Sequence, residues 1–312
     1  AGEAKEWKYQ LLKCRSCGLG FVDPSPSWNR LASFYQDYAC YEDAEHDPIG
    51  GKGSLKYRAA KCRYATYRGM GIRQLVRSSV GLAVEWITGK TVSLTLGIPL
   101  QLPKDANILE LGYGSGGWLL SMSGLGYKNL HGYDIDTNRE NASRLSSVGI
   151  NISSGDFHAN RYPESFFDCI RLEHVLEHLL EPREVLAKCY RLLKPGGILV
   201  LNSPCIDSWL ARRSIRHYPG LQIPWHLYHH TPRSAGLLLE AVGFEIVRLK
   251  PYAVPVHVPV CINGVLSDRG PGWIKIPSFF FLPFAPIHKL VCTLTGKGEF
   301  LTALCRKRLS SK

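Results

Sequence analysis

Residues 107–117, NILELGYGSGG, decide how this chain is read. A short apolar run closed by glycines is a buried strand that turns sharply into a helix. Glycine lets the backbone bend there and approach a ligand with no Cβ in the way. A helix is expected near 117–126 and a second strand over 130–135 (LHGYDI), with Asp134 at its end. A carboxylate at that distance from the glycine loop suits a grip on two ribose hydroxyls. Further strands are expected at 151–153, 167–172 (FDCIRL), 198–201 and 244–249, with a strand-like run at 299–309. Between them lie helices at 181–193, with Pro182 in the first turn, and at 232–242, behind a Thr231-Pro232 start. Lys194-Pro195-Gly196-Gly197 reads as a stop and turn. Strands alternating with helices argue an α/β chain with a mostly parallel sheet covered on both faces.

The 312 residues, with 45% hydrophobic and 21% charged, exclude disorder, collagen and coiled coil. Four regions are expected: an irregular module at 1–50, a basic helical region at 51–105, the core at 106–250, and a Pro/Phe-rich insertion with a closing strand at 251–312. The formal charge of +12 invites an acidic partner, although solubility accounts for it equally well. The basic stretch 52–77 reads as a solvated helix face, with anionic lipid the main functional competitor; nucleic acid is disfavoured, because no RNA-binding module accompanies the charge. Ten dispersed cysteines and no secretory segment at the start of this sequence point to a reduced, cytoplasmic chain. The most apolar stretch, 276–293, is broken by Pro277, Pro283, Pro286, His288 and Lys289 and is no span. Packing against the chain's own sheet is the preferred reading for it, and a shallow peripheral contact with the inner membrane face is the competitor.

Gly112, Gly114 and Gly117 also satisfy G-x-G-x-x-G, which brings a nicotinamide oxidoreductase into consideration. Glu110 breaks the tie: a carboxylate there repels a pyrophosphate and welcomes an ammonium. An acid followed by G-x-G-x-G resembles the first motif of the class I S-adenosylmethionine-dependent methyltransferases, over roughly 107–250. The resemblance implies a Rossmann-like seven-stranded, mostly parallel sheet with an antiparallel last strand, and S-adenosylmethionine as cofactor. It also implies that Glu110, Gly112, Gly114 and Gly116 surround the methionine part and that Asp134 holds the ribose. Ile135 would pack on the adenine, Asp156 would accept from the adenine amino group, and Phe157 beside it is a further candidate for adenine contact, with a core role as the alternative.

A sulfonium methyl donor is already activated, so positioning supplies much of the acceleration, and a base is needed only for an acceptor that must lose a proton. His174 and His226 are the candidates for acceptor contact or base, each with a structural role as the alternative. His174-x-x-Glu177-His178 spells H-x-x-E-H, yet no zinc-peptidase site is expected, because a similar run follows strand four in the family. In ubiquinone-pathway O-methyltransferases the equivalent run begins with an acid and is associated with a divalent metal; His174 replaces that acid, so no metal is expected. Pro224-Trp-His226-Leu-Tyr228-His229 resembles a run of a bacterial methyltransferase group linked to saccharide or small-molecule modification. Arg212, Arg213 and Arg216 read as a solvated face. Cys14-x-x-Cys17 is half a zinc ribbon, and no completed site is expected from it. The reading is methyl transfer to an oxygen or nitrogen of a small or lipid-linked acceptor, a saccharide first and a quinone-type ring at the membrane surface second. An NAD-dependent oxidoreductase and a non-catalytic cofactor-binding scaffold remain the alternatives.

Overall fold

The computed structural model describes residues 9–27, 102–135, 139–269 and 276–309. The basic stretch 52–77 lies outside the described residues, and so do Cys40 and Cys62, the cysteines that could complete a metal site with Cys14 and Cys17. In chain order the elements are β1 (Gln10–Lys13), β2 (Gly20–Asp23), β3 (Asn107–Leu111), α1 (Gly117–Gly124), β4 (Asn129–Asp134), α2 (Arg139–Ser147), β5 (Asn151–Ser154) and β6 (Phe167–Glu173). There follow α3 (Pro182–Leu192), β7 (Leu193–Pro204), α4 (Trp209–Arg213), β8 (Tyr228–His229), α5 (Pro232–Val242), β9 (Glu245–Tyr252), α6 (His257–Arg269), α7 (Ala285–Thr295) and β10 (Phe300–Arg306).

The main sheet has seven strands in the order β5-β4-β3-β6-β7-β10-β9. The pairs from β5 to β7 are parallel, and β10 runs antiparallel between β7 and β9. Successive residues of β3 serve opposite faces: Ile108 packs with Trp118, Leu119 and Leu145 of α1 and α2, whereas Leu109 and Leu111 pack with Leu186 and Leu239 of α3 and α5. Burial on both faces is why the strand reads as a continuous apolar run. The same alternation puts Glu110 on the α1 side with Ile108. From β3 the chain steps outward through β4 to β5, then returns to place β6 on the other side of β3. A ligand crevice opens at the carboxyl ends of strands at such a switch point.

Three expectations need correction. The Lys194–Gly197 turn lies inside one long strand, β7, whose pairing with β6 shifts register between Phe167 and Cys169. The module at 1–50 is not wholly irregular: β1, β2 and β8 form a small antiparallel sheet, and Thr231 Oγ1 donates to the Cys17 carbonyl at 2.9 Å. Within the stretch 276–293, helix α7 lies against β9 but turns much of its apolar surface outward. Helix α7 buries Ala285 and Cys292 and exposes Ile287, Leu290, Val291 and Leu294.

Candidate active site

A cleft of about 830 Å³ sits at the carboxyl ends of β3, β4, β5 and β6. Gly112 leaves β3 with φ +74° and donates its N–H to the Tyr133 carbonyl at 2.7 Å; a Cβ there would lie 2.3 Å from Val175 Cγ2. Glycine is therefore required both by backbone conformation and by the approach of the loop after β6. The Asp134 carboxylate is fixed by two backbone donors, Gly114 N–H to Oδ2 at 2.9 Å and Ile135 N–H to Oδ1 at 2.8 Å. Asp156 caps the turn after β5, accepting from His158 N–H at 2.9 Å, and Tyr133 Oη donates to its carbonyl at 3.0 Å. Phe157 borders the cleft while packing edge-on against Tyr133, and Ile135 leaves its apolar side chain half exposed at the rim.

Two of the residues read from the glycine loop sit elsewhere. Gly116 caps α1 in the left-handed region, and its missing Cβ makes room for Leu145 of α2, 2.4 Å from where that atom would be. It serves helix packing and does not line the cleft. Glu110 is also absent from the lining: its buried carboxylate pairs with Arg171 of β6, whose guanidinium opposes the rise in pKa that burial imposes. Arg171 lies over the Trp118 ring at 4.5 Å and reaches Glu173 Oε2 at 2.9 Å with its second terminal nitrogen. Glu173, which also accepts from Asn202 Nδ2, reaches the cleft at the end of β6, and Glu181 lines it further along the same segment. Sequence reasoning passed over Glu173; its position at the end of β6, two residues from Arg171 on the same strand face, was the available signal.

His174 follows with φ +54°, a left-handed conformation unusual for a residue with a Cβ, and turns its ring into the cleft. Its Nδ1 is 3.3 Å from Glu177 Oε1 and its Nε2 is 3.6 Å from Glu173 Oε1. Burial by itself would lower the imidazole, but the two carboxylates outweigh it and hold the pKa above the ordinary value. The same contacts, with charge from His178 and His226, offset burial at Glu177 and depress its carboxyl to about 2.

His226 does not line the cleft. It is buried behind it, with Nδ1 donating to the Gly220 carbonyl at 2.8 Å and its ring 4.7 Å from that of His178. His178 Nδ1 likewise donates to the Trp225 carbonyl at 3.0 Å, which leaves both Nε2 atoms as lone-pair donors. The ligating atoms of Glu177, His178 and His226 lie within 4.8 Å of one another, so the three could hold a divalent cation. The arginines stand apart: Arg212 pairs with Asp207, and Arg216 with Asp268. Cys14 and Cys17 are free thiols at the turn between β1 and β2.

The lining combines a rigid carboxylate, a glycine backbone, apolar walls and acids on both sides, which fits a nucleoside carrying positive charge. A family profile described as a methyltransferase domain matches residues 87–249, more than half of the chain. The chain belongs to the methyltransferase-domain family. It is 25% identical over 143 residues to the "Probable S-adenosylmethionine-dependent methyltransferase" of Mycolicibacterium smegmatis, covering 45% of this chain and 52% of that one. It is 29% identical over 137 residues to a 37.1 kDa protein of transposon TN4556 from Streptomyces fradiae, covering 43% and 37%. A ubiquinone biosynthesis O-methyltransferase of Thiobacillus denitrificans is 32% identical over 96 residues, 29% of this chain and 40% of that one. The matched regions thus span about half or less of these curated relatives. Among solved structures, an S-adenosylmethionine-dependent methyltransferase from Mesorhizobium loti aligns with a TM-score of 0.44 at 16% identity, over 66% of this chain and 93% of that one. Membership of the family implies S-adenosylmethionine as the cofactor.

Proposed function

We propose that this methyltransferase transfers a methyl group to an oxygen of a small or lipid-linked acceptor, with His174 as the general base. The observation that carries the proposal is His174 itself: an imidazole in the cleft, backed by Glu177 at 3.3 Å and reached by the same opening as Asp134. Bound S-adenosylmethionine supplies an activated methyl on a sulfonium, and the chain's work is placement and proton transfer. Asp134 is positioned for two ribose hydroxyls. Glu173 takes the ammonium-facing role that the sequence gave to Glu110. His174 accepts the acceptor's hydroxyl proton at Nε2, the nitrogen on the Glu173 side, and Glu173 and Glu177 together stabilise the resulting imidazolium.

Two observations favour a lipid-linked or quinone-type acceptor over a free saccharide. Phe284, Ile287, Leu290 and Leu294 are 58–76% exposed and repeat every three or four residues, an apolar stripe turned outward. Residues 276–298 contain no acid, and the chain carries a formal +12, which suits an anionic lipid surface. No described helix is long and apolar enough to cross a membrane. The test is calorimetric titration with S-adenosylhomocysteine, followed by methyl transfer to a phenolic quinol head group beside a lipid-linked sugar. Homocysteine-nucleoside binding with turnover on the phenol supports the reading. Turnover on the sugar alone moves the acceptor to the saccharide class, and absence of binding to folded protein removes the enzyme reading.

A further inference from the structure

A second group of side chains lies outside the cleft, at the junction of α7 with the last strand. We propose that His288, Cys292 and Glu299 form a zinc site that pins α7 to the sheet. His288 and Cys292 are four residues apart on α7 and so share its inward face. Gly296 ends that helix in the left-handed region, and the reversed chain brings Glu299, the residue before β10, back against them. His288 Nε2 is 3.0 Å from Glu299 Oε2 and 3.5 Å from Cys292 Sγ, and the three ligating atoms fall within 4.8 Å of one another.

Two features of the surroundings call for a cation. Glu299 has no exposed surface; its Oε2 accepts from Val254 N–H at 2.8 Å, while Oε1 is buried with no hydrogen-bond partner. His257, at the start of α6, also has a buried Nδ1 with no hydrogen-bond partner and feels the Glu299 charge. A carboxylate, a thiol and an imidazole are the donor types that zinc takes in tetrahedral sites. One carboxylate, one thiolate and one neutral imidazole cancel the two charges of Zn²⁺, so the buried group becomes neutral. On binding, the Cys292 S–H proton leaves to solvent, and the imidazole keeps its proton on Nδ1 while Nε2 takes the metal. A water fills the fourth position. None of the three residues lines the cleft, but Glu299 is followed by Phe300, whose ring is 4.6 Å from that of His174. The metal would hold the support under His174 without touching the cofactor.

The experiment titrates the full chain, stripped of metal with EDTA, with Co²⁺ and follows the thiolate-to-cobalt charge-transfer absorption, then adds Zn²⁺. We expect one equivalent of Co²⁺ to saturate the band, Zn²⁺ to bleach it, Cys292→Ser to abolish it and a Cys14→Ser/Cys17→Ser double variant to leave it intact. The Glu177, His178 and His226 group contains no sulfur and cannot produce this band. If Cys292→Ser does not fold, His288→Gln decides, because that side chain is partly exposed. A loss of cobalt affinity of about tenfold or more supports the site, and unchanged affinity overturns it. A band that is absent in the unmutated chain, survives Cys292→Ser, or vanishes with Cys14 and Cys17 overturns the proposal as well. Titration with S-adenosylhomocysteine on the same samples reports the cleft separately.

Discussion

The two sides of the cleft are held in different ways. On the β3–β5 side the backbone does the holding: Asp134 is fixed by the N–H groups of Gly114 and Ile135, and Asp156 by that of His158. On the β6 side, side chains hold one another: Glu110 with Arg171 and Glu173 with Asn202 between strands, and Glu177 with His174 three residues away and with His178 and His226. The first side is built of backbone donors in strand-end loops, two of them within two residues of the acid they hold and one, Gly114, brought from the loop after the neighbouring strand. The second is an electrostatic network that exists only once the sheet has formed, and it should fail through charge imbalance rather than through lost contacts.

The largest effect should therefore come from Arg171. Arg171→Met leaves the buried Glu110 without its counter-ion and Glu173 with one partner fewer, a change expected to cost about 3–5 kcal/mol. Thermal melts should show it, with partial rescue by the added change Glu110→Gln. A variant that kept its melting temperature and lost only cofactor affinity would erase the contrast between the two sides. His174→Asn is next: a drop in kcat of about 10²–10⁴-fold is expected with binding of S-adenosylhomocysteine retained. The pH profile sharpens the point. A base works when neutral, and the pKa of His174 is raised, so the rate should climb with pH through a value above 6.5 and level off beyond it. His174→Asn should flatten that limb.

On the backbone-held side, Asp134→Ala should weaken S-adenosylhomocysteine binding about 100-fold, the loss of hydrogen bonds between a charged group and two hydroxyls. Glu110→Gln should leave that affinity little changed, because its carboxylate faces Arg171 rather than the cleft; calorimetry on the pair separates the two roles. Acid stability is a separate readout. Burial depresses His229 and His230 to about 4, whereas the unfolded chain takes up those protons near 6.5. Unfolded chain then binds more protons in the interval, so stability present above pH 6.5 should decline as pH falls toward 4. Melts across that range in His230→Asn should show a shallower slope. The least change in catalysis is expected from Leu290→Glu/Leu294→Glu, which should lose flotation with anionic vesicles and keep activity on a soluble acceptor; undiminished flotation would show that the exposed stripe does not meet lipid.

How far the sequence could be read follows the same division. The strand at 107–111 has the bounds expected from NILEL, because a run buried on both faces ends where glycine replaces apolar residues. The capped start at Thr231-Pro232 is likewise present, with Thr231 accepting from Ser234 N–H at 3.0 Å, because capping involves only neighbours in the chain. Glu110 lies off the cleft lining for a reason of direction. Its distance from the glycines was correct, but the two-residue period of a strand sends its side chain into the α1 face, where Arg171 waits. The residues around β7 misled in another way, since Lys-Pro-Gly-Gly is a turn by composition and becomes a bulged strand only because β6 and β10 pair with its flanks.

By itself the sequence determined the alternation of strands and helices, the glycine-lined entry to the cleft and the carboxylate at the end of β4. Each of these depends on interactions within a few residues or on a period that can be counted along the chain. Tertiary structure alone decided that Glu173 and not Glu110 lines the cleft, that His226 is buried beside Glu177 and His178, and that α7 turns its apolar stripe outward. Those outcomes depend on which faces the sheet covers and which charges it buries together, and neither is written in the order of residues along one segment.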